Sequence, residues 1–247
     1  MKNTPEIIYE DDFIVIVNKP PDYLSIPDRH DSTKPNLVSF LQKKFGEIFV
    51  VHRIDRETSG ILCFARTAEA HRNMCKQFDD RTVEKFYLAL ADGRIHDDEG
   101  EIDKPIAEHS SVAGKMITAA RGKASLSLYK VLERFKHFTL AEVEIKTGRT
   151  HQIRVHFQSI GYPLAVDPLY GRRSELKLSE IKGKYKLGKW VDEERPIMSR
   201  TTLHAYRLKL QHPETQEVMY FKVEPPKDFV ALVQQLQKWG KLKESTI

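Results

Sequence analysis

The sequence predicts an α+β fold in which a mainly antiparallel, mixed β-sheet is flanked by helices. Strand-like segments outnumber helical ones, and several of them are neighbours in the chain that can pair as hairpins. The chain has 247 residues, of which 40% are apolar and 30% charged, a composition typical of a globular protein with a substantial core. Neither an internal repeat nor a low-complexity linker divides it. We therefore expect residues 1–247 to form a single domain.

The first third of the chain predicts two strands, a helix, a third strand and a second helix. IIYEDDFIVIVNKP reads as two strands around an acidic turn and is ended by Pro20. NLVSFLQKKFG has the apolar spacing of a short helix and is closed by Gly46. The polar residues 52–60 are expected to form a loop, and the apolar residues 61–66 a strand. Thr67 is then a suitable N-cap for an amphipathic helix.

The middle of the chain supplies three further strands and one helix. VEKFYLALADG alternates as a strand, while ASLSLYKVLERF and HFTLAEVEIKTG are expected to pair antiparallel. RTHQIRVHFQSIG predicts a helix with Ile153, Phe157 and Ile160 on its apolar side and Gly161 as its C-terminal stop.

Residues 172–200 are polar and lysine-rich, and we expect them to form a basic insertion or long loop. Five lysines of this stretch are candidates for phosphate contacts, although a solvated loop explains them equally well: Lys177, Lys182, Lys184, Lys186 and Lys189. After it, LHAYRLKLQHPETQEVMYFKVEPP predicts a hairpin, and DFVALVQQLQKWG predicts an amphipathic helix.

The balance of charge is moderately basic, with 40 lysines and arginines against 35 aspartates and glutamates. A nucleic-acid partner fits this excess, but many ordinary enzymes carry as much. Cys63 and Cys75 lack a paired spacing and the N-terminus lacks an apolar leader, so we expect free thiols and a cytoplasmic location. No apolar run is long enough to span a membrane. Without an exposed heptad or long apolar edge, we expect a monomer.

The motif HRIDRETSG places one carboxylate, Asp55, between Arg53 and Arg56 and close to His52. An acid in a loop is usually a helix cap or one partner of a surface ion pair. Here the cationic neighbours favour the charged form of the carboxylate. A charged carboxylate is the form that a nucleophile at a sugar or ring carbon requires.

A second polar cluster lies where a loop meets the predicted helix, at Arg149, His151, Gln152 and Arg154. Arginines at a helix N-terminus suit a phosphate group, whereas the ordinary interpretation is a solvated helix face. A metal site is not expected, because five residues rotate the ring of His156 about 140° from that of His151. No carboxylate joins them at metal-binding spacing.

Tyr87 stands in an alternating strand, where a tyrosine usually packs against its neighbours. It can also stack on a base or transfer a proton, and its position does not decide between these roles. The sequence contains no P-loop, no dinucleotide-binding glycine pattern and no zinc-binding spacing. We therefore expect no cofactor.

Taken together, these motifs resemble the RluA family of RNA pseudouridine synthases. HRIDRETSG is similar to the signature of the family, and four further segments follow in the order of the family between about residues 7 and 235: YEDDFIVIVNKPPDYLSIP, EKFYLAL, TGRTHQIRVHFQSIGYPLAVDPLYG and LHAYRLKLQHP. The resemblance implies the pseudouridine synthase fold with a central RNA-binding cleft. It also implies an isomerase, an intramolecular transferase, that converts uridines of structured ribosomal or transfer RNA to pseudouridine. A separate N-terminal RNA-binding domain, which some members carry, is not expected.

The resemblance also implies roles for individual residues. Asp55 would be the nucleophile, Tyr87 would contact the target base and help to move a proton, and Arg154 would pair with Asp55. Arg53 would help to displace the uridine that leaves the helix stack. Further substrate contacts are expected from five polar side chains: His52, Arg56, Arg149, His151 and Gln152.

The reaction breaks the N1–C1′ bond and forms a C5–C1′ bond. Asp55 could attack C1′, add to C6 of the ring, or lead to a glycal, and the sequence leaves all three routes open. Two other functions also stay open at this point. A binding module that remodels RNA would not need the three predicted catalytic residues, and a glycoside hydrolase would need a second positioned carboxylate.

Overall fold

The computed structural model describes residues 4–186 and 193–241. It confirms the α+β fold with a mixed sheet, built from short strands and a few helices. In chain order the elements are β1 Glu6–Glu10, β2 Ile14–Lys19, α1 Leu37–Phe45, β3 Phe49–Val50, β4 Ser59–Ala65, α2 Ala68–Asp79, β5 Glu84–Asp92, β6 Glu99–Asp103, β7 Ile106–Glu108, β8 Met116–Thr118, β9 Leu126–Arg134, β10 Phe138–Ile145, α3 Gln152–Ser159, α4 Leu178–Ile181, β11 Leu203–Gln211, β12 Val218–Lys222 and α5 Lys227–Trp239.

The chain divides into two compact units. The first combines Met1–Tyr87 with His204–Pro225, and the second combines Leu88–Leu203 with Pro226–Ile247. The boundary falls within strand β5, between Tyr87 and Leu88. That residues 1–247 act as one domain stays a prediction, and each unit is described by itself.

In the first unit the strands follow the order β1-β2-β4-β11, with β12 beside β11 and β3 beside β4. The pairs β1/β2, β2/β4 and β11/β12 are antiparallel, whereas β4 and β11 run parallel. Strand β4, SGILCFA, is buried along its whole length, which explains its continuous apolar run. The core of this unit forms where β2 and β4 pack on α2 through Ile16, Ile61 and Met74.

In the second unit β10, β9 and β6 pair antiparallel in that order. Strands β7 and β8 form a separate two-stranded hairpin. Helix α3 is buried on nearly all sides, so its apolar residues Ile153, Val155 and Phe157 are accompanied by buried Arg154 and His156. This differs from the expected amphipathic helix, because the polar groups of both residues are paired inside the protein.

The structure confirms the first strand pair and both early helices. Asn36 caps α1 through its side chain, Gly46 closes that helix, and Thr67 accepts a hydrogen bond from the backbone of Ala70. Strand β4 begins at Ser59, two residues before the expected start, because Ser59 and Gly60 pair with β11.

Three short strands, β6 to β8, were not expected from the sequence. They span three to five residues each, and β6 buries only one side chain, Ile102. Alternation over so few residues gives no distinct pattern.

Residues 172–200 are not wholly a solvated loop. Leu176 and Met198 are buried and form a backbone bridge, and the stretch includes the short helix α4. Lys189, one of the candidate phosphate contacts, lies outside the described residues. No helix in the described part of the chain is long and apolar enough to cross a membrane.

Candidate active site

The loop that carries Asp55 is held on both sides by its backbone. The hydroxyl of Ser25 donates to the carbonyl of Ile54 at 2.8 Å and accepts from the amide of Ile54 at 3.2 Å. The amide of Thr58 donates to the carbonyl of Asp55 at 3.1 Å. Asp55 itself is half-buried. The protein therefore fixes the main chain of the motif and leaves residue Asp55 partly exposed.

Lys19, at the end of β2, is a further anchor of this loop that the sequence did not single out. Its side chain is fully buried, and its ammonium group donates to three carbonyls, those of Pro20, Tyr23 and Arg56, at 3.0, 2.8 and 2.8 Å. A buried ammonium group is tolerated only where such partners replace its water. The available signal was a lysine at the end of the strand IVIVNK, whose first four residues are apolar.

The exit from the loop is fixed by the pairing of β4 with β11. The hydroxyl of Ser59 lies 2.9 Å from Nδ1 of His204, and Nε2 of His204 lies 3.1 Å from the carbonyl of Val223. Because a carbonyl only accepts, Nε2 carries the proton and Nδ1 accepts from Ser59. Gly60 has φ +118°, and a Cβ there would lie 2.0 Å from the carbonyl oxygen of Ala205. Only glycine fits this close approach.

Within the first unit, the negative charge of Asp55 acts on the phenol of Tyr87. Tyr87 is only 7% exposed. Burial raises the pKa of its phenol well above the ordinary value, and the negative charge of Asp55 raises it further. The phenol therefore stays protonated at neutral pH, and can donate a proton or a hydrogen bond next to a carboxylate.

His52 faces the interior. Its Nε2 accepts a hydrogen bond from the amide of Cys63 at 3.0 Å, and its ring stacks on Phe78 with centroids 4.7 Å apart. Burial, and then the charge of Lys85, lower the pKa of His52 to about 3. The ring is neutral at physiological pH and joins the loop to β4. A substrate contact by His52 stays a prediction without a geometric basis, whereas Arg53 and Arg56 are exposed.

Arg154 lies in the second unit in a buried pair with Asp167. Its Nε and Nη2 donate to the two carboxylate oxygens of Asp167 at 2.7 and 2.9 Å, and its guanidinium lies 4.9 Å from the ring centre of Tyr170. Asp167 also accepts from the amides of Leu169 and Tyr170. The expected pairing of Arg154 with Asp55 stays a prediction.

His151 joins the same cluster. It adopts a left-handed backbone conformation with φ 56°, which is uncommon for a residue other than glycine. Its Nδ1 lies 2.8 Å from the hydroxyl of Tyr170, and that hydroxyl accepts from the amide of Met116 at 2.7 Å. The hydroxyl of Tyr170 thus links His151 to the main chain of Met116. This chain of bonds holds the start of α3 against the hairpin β7–β8.

Gln152 is buried and makes four internal hydrogen bonds. Its carbonyl oxygen accepts from the hydroxyl of Thr147 and the amide of Arg149, and its amide group donates to Leu126 and Ser127. These bonds fix the loop before α3. A direct contact of Gln152 with substrate stays a prediction, and it would require some of these bonds to break. Arg149 is half-buried.

His156 is committed to internal partners as well. Its Nε2 lies 2.9 Å from the carbonyl of Lys104, and its Nδ1 lies 2.9 Å from the hydroxyl of Ser127. Within residues 4–186 and 193–241, no group of three or more histidine, cysteine, aspartate or glutamate side chains is placed to hold a metal ion.

Comparison with known proteins agrees with the resemblance described above. The family model for RNA pseudouridylate synthase matches residues 13–159. Ribosomal large subunit pseudouridine synthase D of Pseudomonas aeruginosa is 36% identical over 94% of this chain and 72% of its own length. The protein of the same name from Nitrosomonas europaea is 35% identical over 94% of this chain, which spans 65% of the length of that relative.

Solved structures give the same result for the fold. Human RNA pseudouridylate synthase domain containing 1 matches with a TM-score of 0.68 and 26% identity over 98% of both chains. Human RNA pseudouridylate synthase domain containing 4, at 21% identity, matches with a TM-score of 0.66 over 94% of this chain and 92% of its own. The resemblance to the RluA family is confirmed, and the chain belongs to the RNA pseudouridine synthases, a family of isomerases.

Proposed function

We propose that this protein converts one or more uridines of structured RNA to pseudouridine, with Asp55 as the nucleophile and without a cofactor. The observation that carries this proposal is the arrangement within the first unit. Burial and, after it, the charge of Asp55 on its pinned loop raise the pKa of the phenol of Tyr87, so a protonated phenol lies within the field of the proposed nucleophile. Large-subunit ribosomal RNA is the first substrate to test, because two relatives are named for it; transfer RNA is the second.

In the proposed reaction the uridine first leaves the base stack, which costs a few kcal/mol. Contacts from arginines and lysines to phosphates offset this cost and make binding dependent on salt. Arg53, which is exposed beside Asp55, fills the space that the uridine leaves.

Asp55 then acts on the flipped nucleoside. The N1–C1′ bond breaks, the uracil turns, C5 bonds to C1′, C5 loses its proton and N1 gains one, so that no atom is added or removed overall. Tyr87 contacts the base and moves a proton, since its phenol remains protonated. Arg154 holds the Asp55 carboxylate charged and aimed. Attack at C1′, addition to C6 and the glycal route would each use these residues and lead to the same overall change of bonds.

The test is release of tritium from a 23S ribosomal RNA transcript labelled at C5 of uridine, with a labelled tRNA transcript in parallel. We expect the wild-type protein to release tritium, and Asp55→Asn to bind the same RNA without releasing it. Asp12→Asn, which changes an exposed acid in the turn before β2, is the matched control and should keep the wild-type rate. Absence of release by the wild type from both RNAs contradicts the proposal, and free uracil among the products indicates glycoside hydrolysis instead.

A further inference from the structure

A cavity of about 480 Å³ lies within the second unit, beside the hairpin β7–β8. We call it the hairpin cavity. Six of the side chains that line it carry the argument: Ile106, Glu108 and Met116 from the hairpin, Arg121 and Lys123 from the segment after it, and Arg149 from the loop before α3. None of these residues belongs to the predicted catalytic set, and only Arg149 was expected to contact substrate.

One wall of the hairpin cavity is fixed by backbone bonds. The amide of Ile106 donates to the carbonyl of Lys123 at 2.9 Å, and the amide of Lys123 donates to the carbonyl of Ile106 at 2.8 Å. Between Arg121 and Lys123, a Cβ on Gly122 would lie 2.6 Å from the carbonyl carbon of Ile106. Strand β7 and the segment 121–123 are therefore in contact, and the basic side chains on either side of the glycine are exposed.

Other parts of the lining are fixed through side chains. Nε of Arg149 donates to the carbonyl of Ala124 at 3.2 Å, and the amide of Arg149 donates to Gln152 at 3.1 Å. The amide of Met116 is held by the hydroxyl of Tyr170. The cavity is therefore built before any ligand enters.

The chemistry of the lining fits a nucleotide. Three cations, Arg121, Lys123 and Arg149, face one acid, Glu108, so an anion is favoured. Arginine and lysine are the usual partners of phosphate. Met116, which is half-buried, adds an apolar side chain against which a base can lie, and the buried Ile106 supports it from the core. The volume falls within the range of small-molecule sites.

We propose that the hairpin cavity binds a second nucleotide of the substrate RNA, distinct from the uridine that is isomerised. The phosphate lies among the three cations and the base lies against Met116. This proposal rests on the proposed function for the identity of the RNA. It assigns Arg121 and Lys123 to substrate binding, and it gives the hairpin a part in choosing the site on the RNA.

The first test is kinetic, with the tritium-release assay on the 23S transcript. Arg121→Gln and Lys123→Gln should each raise KM about threefold to tenfold with little change in kcat, because each removes one phosphate contact remote from the reacting atoms. Glu108→Gln should lower KM. In the double variant, the slope of log affinity against log salt should flatten by up to about 1.4, at about 0.7 for each contact to a single strand.

Lys136→Gln is the matched control, because Lys136 is an exposed lysine of the β9–β10 turn and does not line the cavity. An equal rise of KM in this control, or an unchanged KM in the cavity variants of an active protein, overturns the proposal. If the wild type releases no tritium, the proposed function fails, but RNA affinity and its salt slope still test the cavity.

The second test observes the cavity directly. The chain has five methionines, so methyl-labelled methionine gives few NMR signals, and Met116→Leu identifies that of Met116. Adenosine 5′-monophosphate, a purine that cannot replace the reacting uridine, should shift the Met116 signal in the wild type and less in the Arg121→Gln, Lys123→Gln double variant. A Met116 signal that adenosine 5′-monophosphate does not move, or that inorganic phosphate moves as far, overturns the proposal of a nucleotide site.

Discussion

The loop of Asp55 and the cluster around Arg154 position their charged groups in opposite ways. The loop is held through its main chain, by Ser25, Lys19 and Thr58, and the carboxylate of Asp55 is left half-buried. Arg154 is held through its side chain, which is buried against Asp167 and Tyr170. In the proposed reaction Asp55 is a nucleophile and must change its bonding, whereas the proposed role of Arg154 is only to stabilise charge, so its guanidinium can be fixed in advance. The two regions should therefore respond differently to mutation.

The largest effect is expected at the exit of the loop. Gly60→Ala forces a Cβ to 2.0 Å from the carbonyl oxygen of Ala205, at a residue with φ +118°. We expect the free energy of unfolding to fall by about 4 kcal/mol or more, because both strain and overpacking apply. Urea denaturation measures it. Gly46→Ala is the control, since its φ is +78° but no atom lies within 4 Å of the new Cβ; there we expect a loss of about 1 kcal/mol. Equal losses at the two glycines would show that the contact with β11 does not matter.

The second-largest effect is expected in the cluster around Arg154, where changes in stability and in catalysis can be measured separately. Asp167→Asn should cost about 3 kcal/mol of stability, because a buried arginine loses its charged partner. It should also lower kcat about 100-fold with a smaller change in KM, since a small displacement of Arg154 misplaces the charge. The values of kcat and KM are measured at low temperature, on protein that circular dichroism shows to be folded.

Asp228→Asn is the matched control for Asp167→Asn. Arg200 binds Asp228 with the same bidentate geometry, at 2.7 and 2.9 Å, but neither residue is among those proposed for catalysis. We expect Asp228→Asn to lower stability and leave kcat unchanged. A similar loss of kcat in both variants would mean that Asp167 acts only through folding.

The third effect tests the main-chain anchors. Lys19→Met leaves the carbonyls of Pro20, Tyr23 and Arg56 without the ammonium that now binds them. We expect the free energy of unfolding to fall by about 2–3 kcal/mol, together with a loss of kcat because the Asp55 loop is no longer held. Lys43→Met, at an exposed lysine of α1, should change neither. Full activity of Lys19→Met in the folded state would contradict the role of Lys19 as an anchor.

The smallest effect concerns pH and His52. The folded protein lowers the pKa of His52 from 6.5 to about 3, so between these values the unfolded chain binds more protons than the folded one. Stability from this group is therefore complete above pH 6.5 and decreases as the pH falls. At pH 5 the decrease should be about 2 kcal/mol. Urea denaturation at pH 7 and pH 5 should show a smaller difference for His52→Gln, whose amide oxygen can still accept from Cys63. An unchanged difference would mean that His52 is accessible to protons in the folded state.

The sequence predicted those elements whose apolar pattern extends over enough residues. Strand β2 and helix α2 were foreseen because their periodicity and the Thr67 cap agree. The hairpin β7–β8 was not, because strands of three residues are defined by their partners. The hairpin cavity could not be predicted either, because segments that are separate in the sequence form it.

Some of the site residues can likewise be recognised from the sequence, whereas the partners of others cannot. Asp55 and Tyr87 are recognisable by their motifs, and the first unit does bring the charge of one to the phenol of the other. Asp167 was passed over, although it lies 13 residues from Arg154, because distance along the chain does not show which acid a helix residue meets. A substrate contact by His52 was expected from the resemblance and stays a prediction; the contacts that the structure gives its ring are with the amide of Cys63 and the ring of Phe78.

The parallel pairing of β4 with β11 has a consequence for folding during synthesis on the ribosome. The hydroxyl of Ser59 bonds to a histidine 145 residues later, so the contact cannot form until β11 has left the ribosome. Contacts so distant along the chain are slow to close and are made late in folding. The contact that fixes the end of the Asp55 loop therefore forms only after β11 has been synthesised, and a chain that stops before residue 204 cannot complete this unit.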